Sequence, residues 1–290
     1  MSNSNFQLTQ KVRRIFRAAQ ITAEENNNNI LHPVHLLIGA LGEKTGVLGE
    51  VNLKANLDKS SLIERLNKFS LSGEGKTSPF FNIEISESTE NVINRSVEIM
   101  KRFNQIYLNE GHIIKALMTI NDPAIEEVLL GMDKELILDI TATARDMIVY
   151  LKDYSFPEID INKETIIRRA LESDKKRLIN YIETEFGGDW SRNVENGFGK
   201  KKIPIFIALF NNKIIGFSAH DVVRKKKGIF GPIGISMEQR AKGTGIALLH
   251  YSLNDMKQNG YDYAILEDTG PIEFYEKACN AIVIPKEAHF

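Results

Sequence analysis

Apolar residues in the first half of the chain return every three or four positions. Leu8, Val12, Ile15, Phe16, Ala19 and Ala23 thus share one face of a helix. The polar run Asn26 to Asn29 breaks that period. Pro33 then opens a second apolar helix, Val34 to Leu41, because the first helical position tolerates a missing N–H. A shorter helix is predicted from Ser61 to Phe69, with Asp58 or Ser60 as its cap. The order then recurs: Leu8 through Leu37 aligns with Ile85 through Ile114 at an offset of 77 residues. Ser86 repeats Thr9 as a cap, and His112-Ile113-Ile114 repeats His35-Leu36-Leu37. A duplicated helical unit follows.

Asp153 to Asn162 is aperiodic and contains Pro157, as a linker between domains does. Beyond it the period changes. A strand is predicted over Thr165 to Ala170, then a helix from Asp174 to Phe186 capped by Ser173, and a short helix from Trp190 to Phe198. Pro204 to Phe210 and Lys213 to His220 flank Asn211-Asn212 as a hairpin. A strand over Ile229 to Ser236, a helix over Gly243 to Gln258, a strand over Tyr263 to Leu266 and a short helix around Phe274 to Lys277 complete the set. The reading divides the chain into an all-α repeat domain at 1–150, a linker at 151–163 and an α/β domain at 164–290.

Composition adds little beyond exclusions. With 42% hydrophobic and 26% charged residues, the chain is expected to be globular. A net charge of −1 favours neither nucleic acid nor an anionic membrane. One cysteine, Cys279, rules out an intrachain disulfide and a multi-cysteine metal site. The polar start is unlike a signal peptide, so a cytoplasmic location is expected.

The chemistry concentrates between Gly231 and Leu249. An apolar strand ends near Ile235, Arg240-Ala241-Lys242-Gly243-Thr244-Gly245 follows, and an amphipathic helix starts at once. Backbone N–H groups at a helix N-terminus, unobstructed by side chains, suit a pyrophosphate. Each glycine weakens a helix by about 1 kcal/mol relative to alanine, so a reason for it must exist. The strand, Arg-x-x-Gly-x-Gly turn and helix resemble the acyl-CoA-binding motif of the GNAT superfamily of N-acetyltransferases. That resemblance covers residues 164–285 and implies a mixed, mostly antiparallel sheet. It also implies acetyl-CoA as co-substrate, with Ile233, Gly234 and Ile235 against pantetheine and Arg240, Ala241, Lys242, Gly243, Thr244 and Gly245 around the phosphates. Phe274-Tyr275-Glu276-Lys277 resembles the family's Phe-Tyr-x-Lys helix, in which the tyrosine hydroxyl serves the thioester sulfur. Tyr275 is therefore the catalytic candidate. Asp268, Pro271 and Ala278 to Ala281 depart from the family pattern, which implies a tilted helix.

The helical duplication, with His-Leu-Leu after a long helix and a polar break, resembles the N-terminal repeat domain of Clp chaperone ATPases across residues 6–150. That resemblance implies a protein-interaction module. Gly73-Glu74-Gly75-Lys76-Thr77 contains Gly-Lys-Thr, yet Ser70 stands where a phosphate loop needs glycine, and a flexible inter-repeat linker is the better reading. His35 and His112 read as caps or packing groups, and no metal is expected. Glu267, Asp268 and His220 are the nearest candidates for a base, each more readily structural. Cys279 reads as a packing thiol, and Arg224 to Lys227 as a solvated hairpin tip. Glu183, Glu185, Asp189, Trp190 and Arg192 form an acidic and aromatic set that suits an amine acceptor or a solvated helix face. The expected function is acetyl transfer to an amine of unknown identity. The alternative is a non-catalytic acetyl-CoA-sensing adaptor or a Clp-associated binding module.

Overall fold

The computed structural model describes residues 6–103, 105–224, 226–240 and 243–286. The described residues form two compact units, one running up to Ala144 and taking in Pro285 and Lys286, the other from Arg145 to Ile284.

The first unit is helical. β1 (Gln7–Leu8) and α1 (Gln10–Glu25) lead to β2 (Ile30–Leu31) and α2 (Pro33–Leu41). Then come α3 (Gly46–Lys54), α4 (Lys59–Leu66), β3 (Gly75–Lys76) and β4 (Glu84–Ser86). The second copy runs α5 (Glu87–Arg102), β5 (Tyr107–Leu108), α6 (Glu110–Leu117), α7 (Pro123–Val128) and α8 (Lys134–Ala142). The caps repeat as the residues do. Thr9 Oγ1 accepts from Val12 N at 3.2 Å and Ser86 Oγ from Thr89 N at 3.2 Å. His35 and His112 reach back through Nδ1 to accept the main-chain N–H of His32 and Asn109, at 2.9 and 3.1 Å. Burial lowers both imidazoles to about 4, so they are neutral capping groups at pH 7. Strand pairing exposes the duplication most plainly. Leu8 pairs with Leu108, and Leu31 with Ile85. Shifted by 77 residues, each pair is the other with its strands exchanged, a local two-fold relation.

Gly75-Lys76 is not a flexible tether. It forms β3, antiparallel to β4, and Lys76 lies 3.1 Å from Glu90. Asp58 rather than Ser60 caps α4, accepting from Ser61 N at 3.1 Å.

The second unit holds a seven-stranded sheet. Its strands are β6 (Arg145–Tyr150), β7 (Thr165–Arg169), β8 (Ile205–Phe210), β9 (Lys213–His220), β10 (Ile229–Ile235), β11 (Tyr263–Thr269) and β12 (Ile282–Val283), with α9 (Lys175–Phe186), α10 (Gly188–Glu195), α11 (Thr244–Gln258) and α12 (Ile272–Cys279). Spatial order is β12-β6-β11-β10-β9-β8-β7. β10 and β11 are parallel and the other neighbours antiparallel. In β8, Ile205, Ile207 and Leu209 share a core with Leu178, Ile182 and Val194 of α9 and α10. The alternate residues Phe206 and Ala208 pack with Leu248 of α11. Helices therefore cover both faces. Asn211 and Asn212 close the β8–β9 hairpin with φ of 47° and 60°, the paired left-handed residues of a type I′ turn.

Two expectations change here. The sheet unit starts at Arg145, not after the linker, because β6 is an inner strand between β11 and β12. Residues 151–163 consequently run within that unit. There Tyr154 Oη lies 2.6 Å from His250 Nδ1, and the Phe156 ring meets Tyr251 edge-on at 5.3 Å. Ser173 does not cap α9. It lies in a 3-10 turn, Glu172–Asp174, and Asp174 is the residue that accepts the main-chain N–H of Leu171 at 2.8 Å.

Candidate active site

β10 and β11 pair at Ile229↔Ile265 and Phe230↔Leu266 only. Beyond that point β10 stays with β9, through Ile233↔Ser218, Gly234↔Phe217 and Ile235↔Gly216. Pro232 brings a main-chain nitrogen without a hydrogen into the separating segment, which cannot extend the ladder. The three strand residues singled out in the sequence thus lie where the parallel pair comes apart. Ile233 and Ile235 pack with Leu248, Phe206 and Ala208. A Cβ on Gly234 would stand 2.6 Å from the Phe186 ring, so packing on α9 requires that glycine.

From Ser236 the chain turns toward α11. Ser236 N and Oγ both donate to Ile215 O, at 3.0 and 3.1 Å, which anchors the turn on β9. A 3-10 turn, Met237–Gln239, follows, and Arg240 stands exposed after it. Ala241 and Lys242 lie outside the described residues. Gly243 caps α11 with φ of 79°, a left-handed conformation that costs a side chain strain. A Cβ there would also sit 2.6 Å from Asp160 O of the crossover. Gly243→Ala is therefore expected to lower stability by about 1–3 kcal/mol, read as a shift in the urea midpoint.

Gly245 differs. A Cβ would meet Ile235 Cγ1 at 3.5 Å and Phe274 Cζ at 3.8 Å, ordinary contact distances. Among the described residues, nothing demands a glycine there. Among the described residues no side chain caps the first turn of α11, and Thr244 is buried at its start. That turn therefore carries main-chain N–H groups that the helix itself leaves unbonded, at its positive end.

Tyr275 lies on α12 and is 7% exposed. Burial, with the Cys279 thiol second, raises its phenol well above the ordinary range. The Phe274 ring beside it, 4.9 Å between centroids, is the one that approaches Gly245. Cys279 donates to Tyr275 O at 3.2 Å, and burial pushes its thiol up to about 12, so it stays protonated.

The base candidates separate. His220 is 1% exposed, with Nε2 3.0 Å from Asp255 Oδ2 and Nδ1 3.5 Å from Asp221 Oδ2. Asp255 also receives both guanidinium nitrogens of Arg169, at 2.5 and 3.0 Å, and Lys202 at 2.6 Å. His220 is therefore a member of a buried ionic network. Glu267 lies 3.7 Å from Arg224, and the exposed Asp268 donates its main-chain N–H to the Asp146 carboxylate at 3.0 Å. Trp190, 36% exposed, stacks on Phe186 at 5.3 Å. Tyr181 meets the same Phe186 ring edge-on at 5.9 Å. Glu183, Glu185, Asp189 and Arg192 are exposed on these helices, the last two paired with each other. The sequence reading missed Phe186 and Tyr181, although three aromatic residues within ten, Tyr181, Phe186 and Trp190, were not otherwise explained by a helical core stripe.

Residues 7–132 match the family model of the Clp repeat (R) N-terminal domain. No curated protein matches the chain. Among solved structures, the N-terminal domain of the chaperone ClpD from Arabidopsis thaliana is similar at 20% identity and a TM-score of 0.39, covering 49% of this chain and 94% of that one. A GCN5-related N-acetyltransferase from Sphaerobacter thermophilus is similar at 19% identity and a TM-score of 0.41, over 49% of each chain. The chain thus spans about half the length of that protein. An aminoglycoside acetyltransferase from an uncultured soil metagenomic sample is similar at 17% identity and a TM-score of 0.35, covering 45% of this chain and 97% of that one.

Proposed function

We propose that the sheet unit transfers an acetyl group from acetyl-CoA to an amine, and that the helical unit is a protein-interaction module. Gly245 carries the first part: it weakens a first helical turn, and no neighbour among the described residues forbids a side chain there. A phosphate approaching the main chain of Gly243, Thr244 and Gly245 supplies the missing reason. The opening between β10 and β11 leaves main-chain groups of residues 231–235 without a β11 partner, and these suit the amides of pantetheine.

The co-substrate supplies an activated thioester. The protein's part is to hold it, to admit an amine in its neutral form and to protonate the departing thiolate. Tyr275 fits the last task because its buried phenol keeps its proton at neutral pH. The aromatic group Tyr181, Phe186 and Trp190, beside Gly234, suits the acceptor side. The Clp repeat match supports a protein partner for the helical unit, whose identity the fold does not specify.

Gly245→Ala tests the reading. Coenzyme A affinity is expected to fall about tenfold, or about 1.4 kcal/mol, while thermal stability holds or rises by up to about 1 kcal/mol. Unchanged affinity would remove the phosphate role from this turn.

A further inference from the structure

The first unit already grips one residue of the chain's own end, Lys286, by its main chain and by its ammonium. Pro285 and Lys286 belong to that unit although they follow the last strand of the sheet. Two residues of α3 grip the main chain of Lys286. Glu50 Oε1 accepts its N–H at 2.9 Å, and Lys54 Nζ donates to its carbonyl at 2.5 Å. Glu50 and Lys54 also pair with each other at 2.9 Å, and their side chains are 9% and 18% exposed. The Lys286 ammonium then finds three oxygens at α8 and just beyond it. It donates to Asp139 O at 3.0 Å, Asp139 Oδ1 at 2.6 Å and Thr143 Oγ1 at 2.8 Å. An ammonium has three protons, so this set satisfies it fully. A cavity of about 290 Å³, bounded by Val51, Met132, Leu136 and Ile140 and by Lys54 itself, lies along the same helices.

Main-chain capture by a carboxylate and an ammonium does not depend on which residue is held; the oxygen set around Nζ does. We propose that the groove between α3 and α8 is a peptide-binding site that reads a lysine in a non-helical segment with apolar residues beside it. The chain's own Pro285-Lys286 fills the site in cis, and a partner peptide of that chemistry competes with it. Ile284 and Pro285, which precede Lys286, define the apolar flank.

The test uses the full chain and a labelled peptide of the sequence of residues 281–290, followed by fluorescence anisotropy. Lys286→Ala weakens the internal occupant, so that variant is expected to bind the peptide at least tenfold tighter than the wild-type chain. A peptide with its lysine acetylated is expected to bind the same variant at least tenfold more weakly. Adding Asp139→Ala to Lys286→Ala is expected to abolish the preference for free over acetylated lysine, and circular dichroism on both variants shows whether the helices persist. Equal binding of the two peptides to Lys286→Ala, or no binding by a folded Lys286→Ala chain, would overturn the proposal.

Discussion

Tyr275→Phe is expected to lower the turnover of acetyl-CoA by about 10²- to 10⁴-fold, the range in which a positioned general acid acts. The substitution deletes one oxygen and leaves the ring that α12 buries, so stability should change little. Loss should fall on kcat rather than on the apparent affinity for acetyl-CoA, because the hydroxyl serves the leaving sulfur. Burial holds the phenol above its ordinary range, so the tyrosine stays in its acid form through neutral and mildly alkaline pH. Turnover should therefore show no alkaline loss from this group below about pH 10. Thiol release measured with a panel of amines checks both points. A variant that turns over like the wild type would take Tyr275 out of the reaction.

The second large effect concerns stability. Asp255→Ala is expected to destabilise the protein by about 3–5 kcal/mol, the range for removing one partner of a buried ionic network. Asp255 is 3% exposed and joins Arg169 of β7, His220 of β9 and Lys202, so its loss strands buried charge. Arg169 and Lys202 keep access to solvent at 28% and 50% exposure, which places the effect toward the lower end. The pH dependence follows. Burial alone would raise the Asp255 carboxyl; hydrogen bonds from His220, Arg169 and Lys202 outweigh it and hold the group far below the usual range. Its contribution is present above about pH 4 and is lost only in strong acid. Burial alone would lower His220, and the Asp221 and Asp255 carboxylates reverse this and raise it. That contribution is complete below about pH 6.5 and is lost as pH rises through the elevated folded value. Urea midpoints should thus decline on the alkaline side of neutrality. Asp255→Ala should flatten that decline without abolishing it, because Asp221 still faces the imidazole.

Local chemistry was legible in the chain and distant pairing was not. Thr9, Ser86 and Asp58 announce helix starts because a cap is a contact over three residues. Asn211-Asn212 announces its turn for a similar reason. By contrast α3 is hidden by Gly46 and Gly49, residues that argue against a helix. Gly49 is needed because a Cβ would stand 2.5 Å from Lys44 O. β6 adjoins a helical stretch in sequence and finds its partners only in β11 and β12, far downstream. At the candidate site, the glycines of the turn were readable but their separate causes were not. Gly234 answers to Phe186 and Gly243 to a left-handed cap under Asp160. Of these three, only Gly245 is left without an internal reason among the described residues. His220 looked like a strand-end base until Asp255, from a helix beyond the next strand, was seen to engage it.

Calorimetric titration of acetyl-CoA into the intact chain tests the central claim most directly. The account predicts one molecule bound per chain, with a dissociation constant between about 1 µM and 1 mM, the range of enzyme substrates, and weaker binding by Gly245→Ala. A folded protein that gives no binding heat with acetyl-CoA or coenzyme A across several temperatures would contradict it.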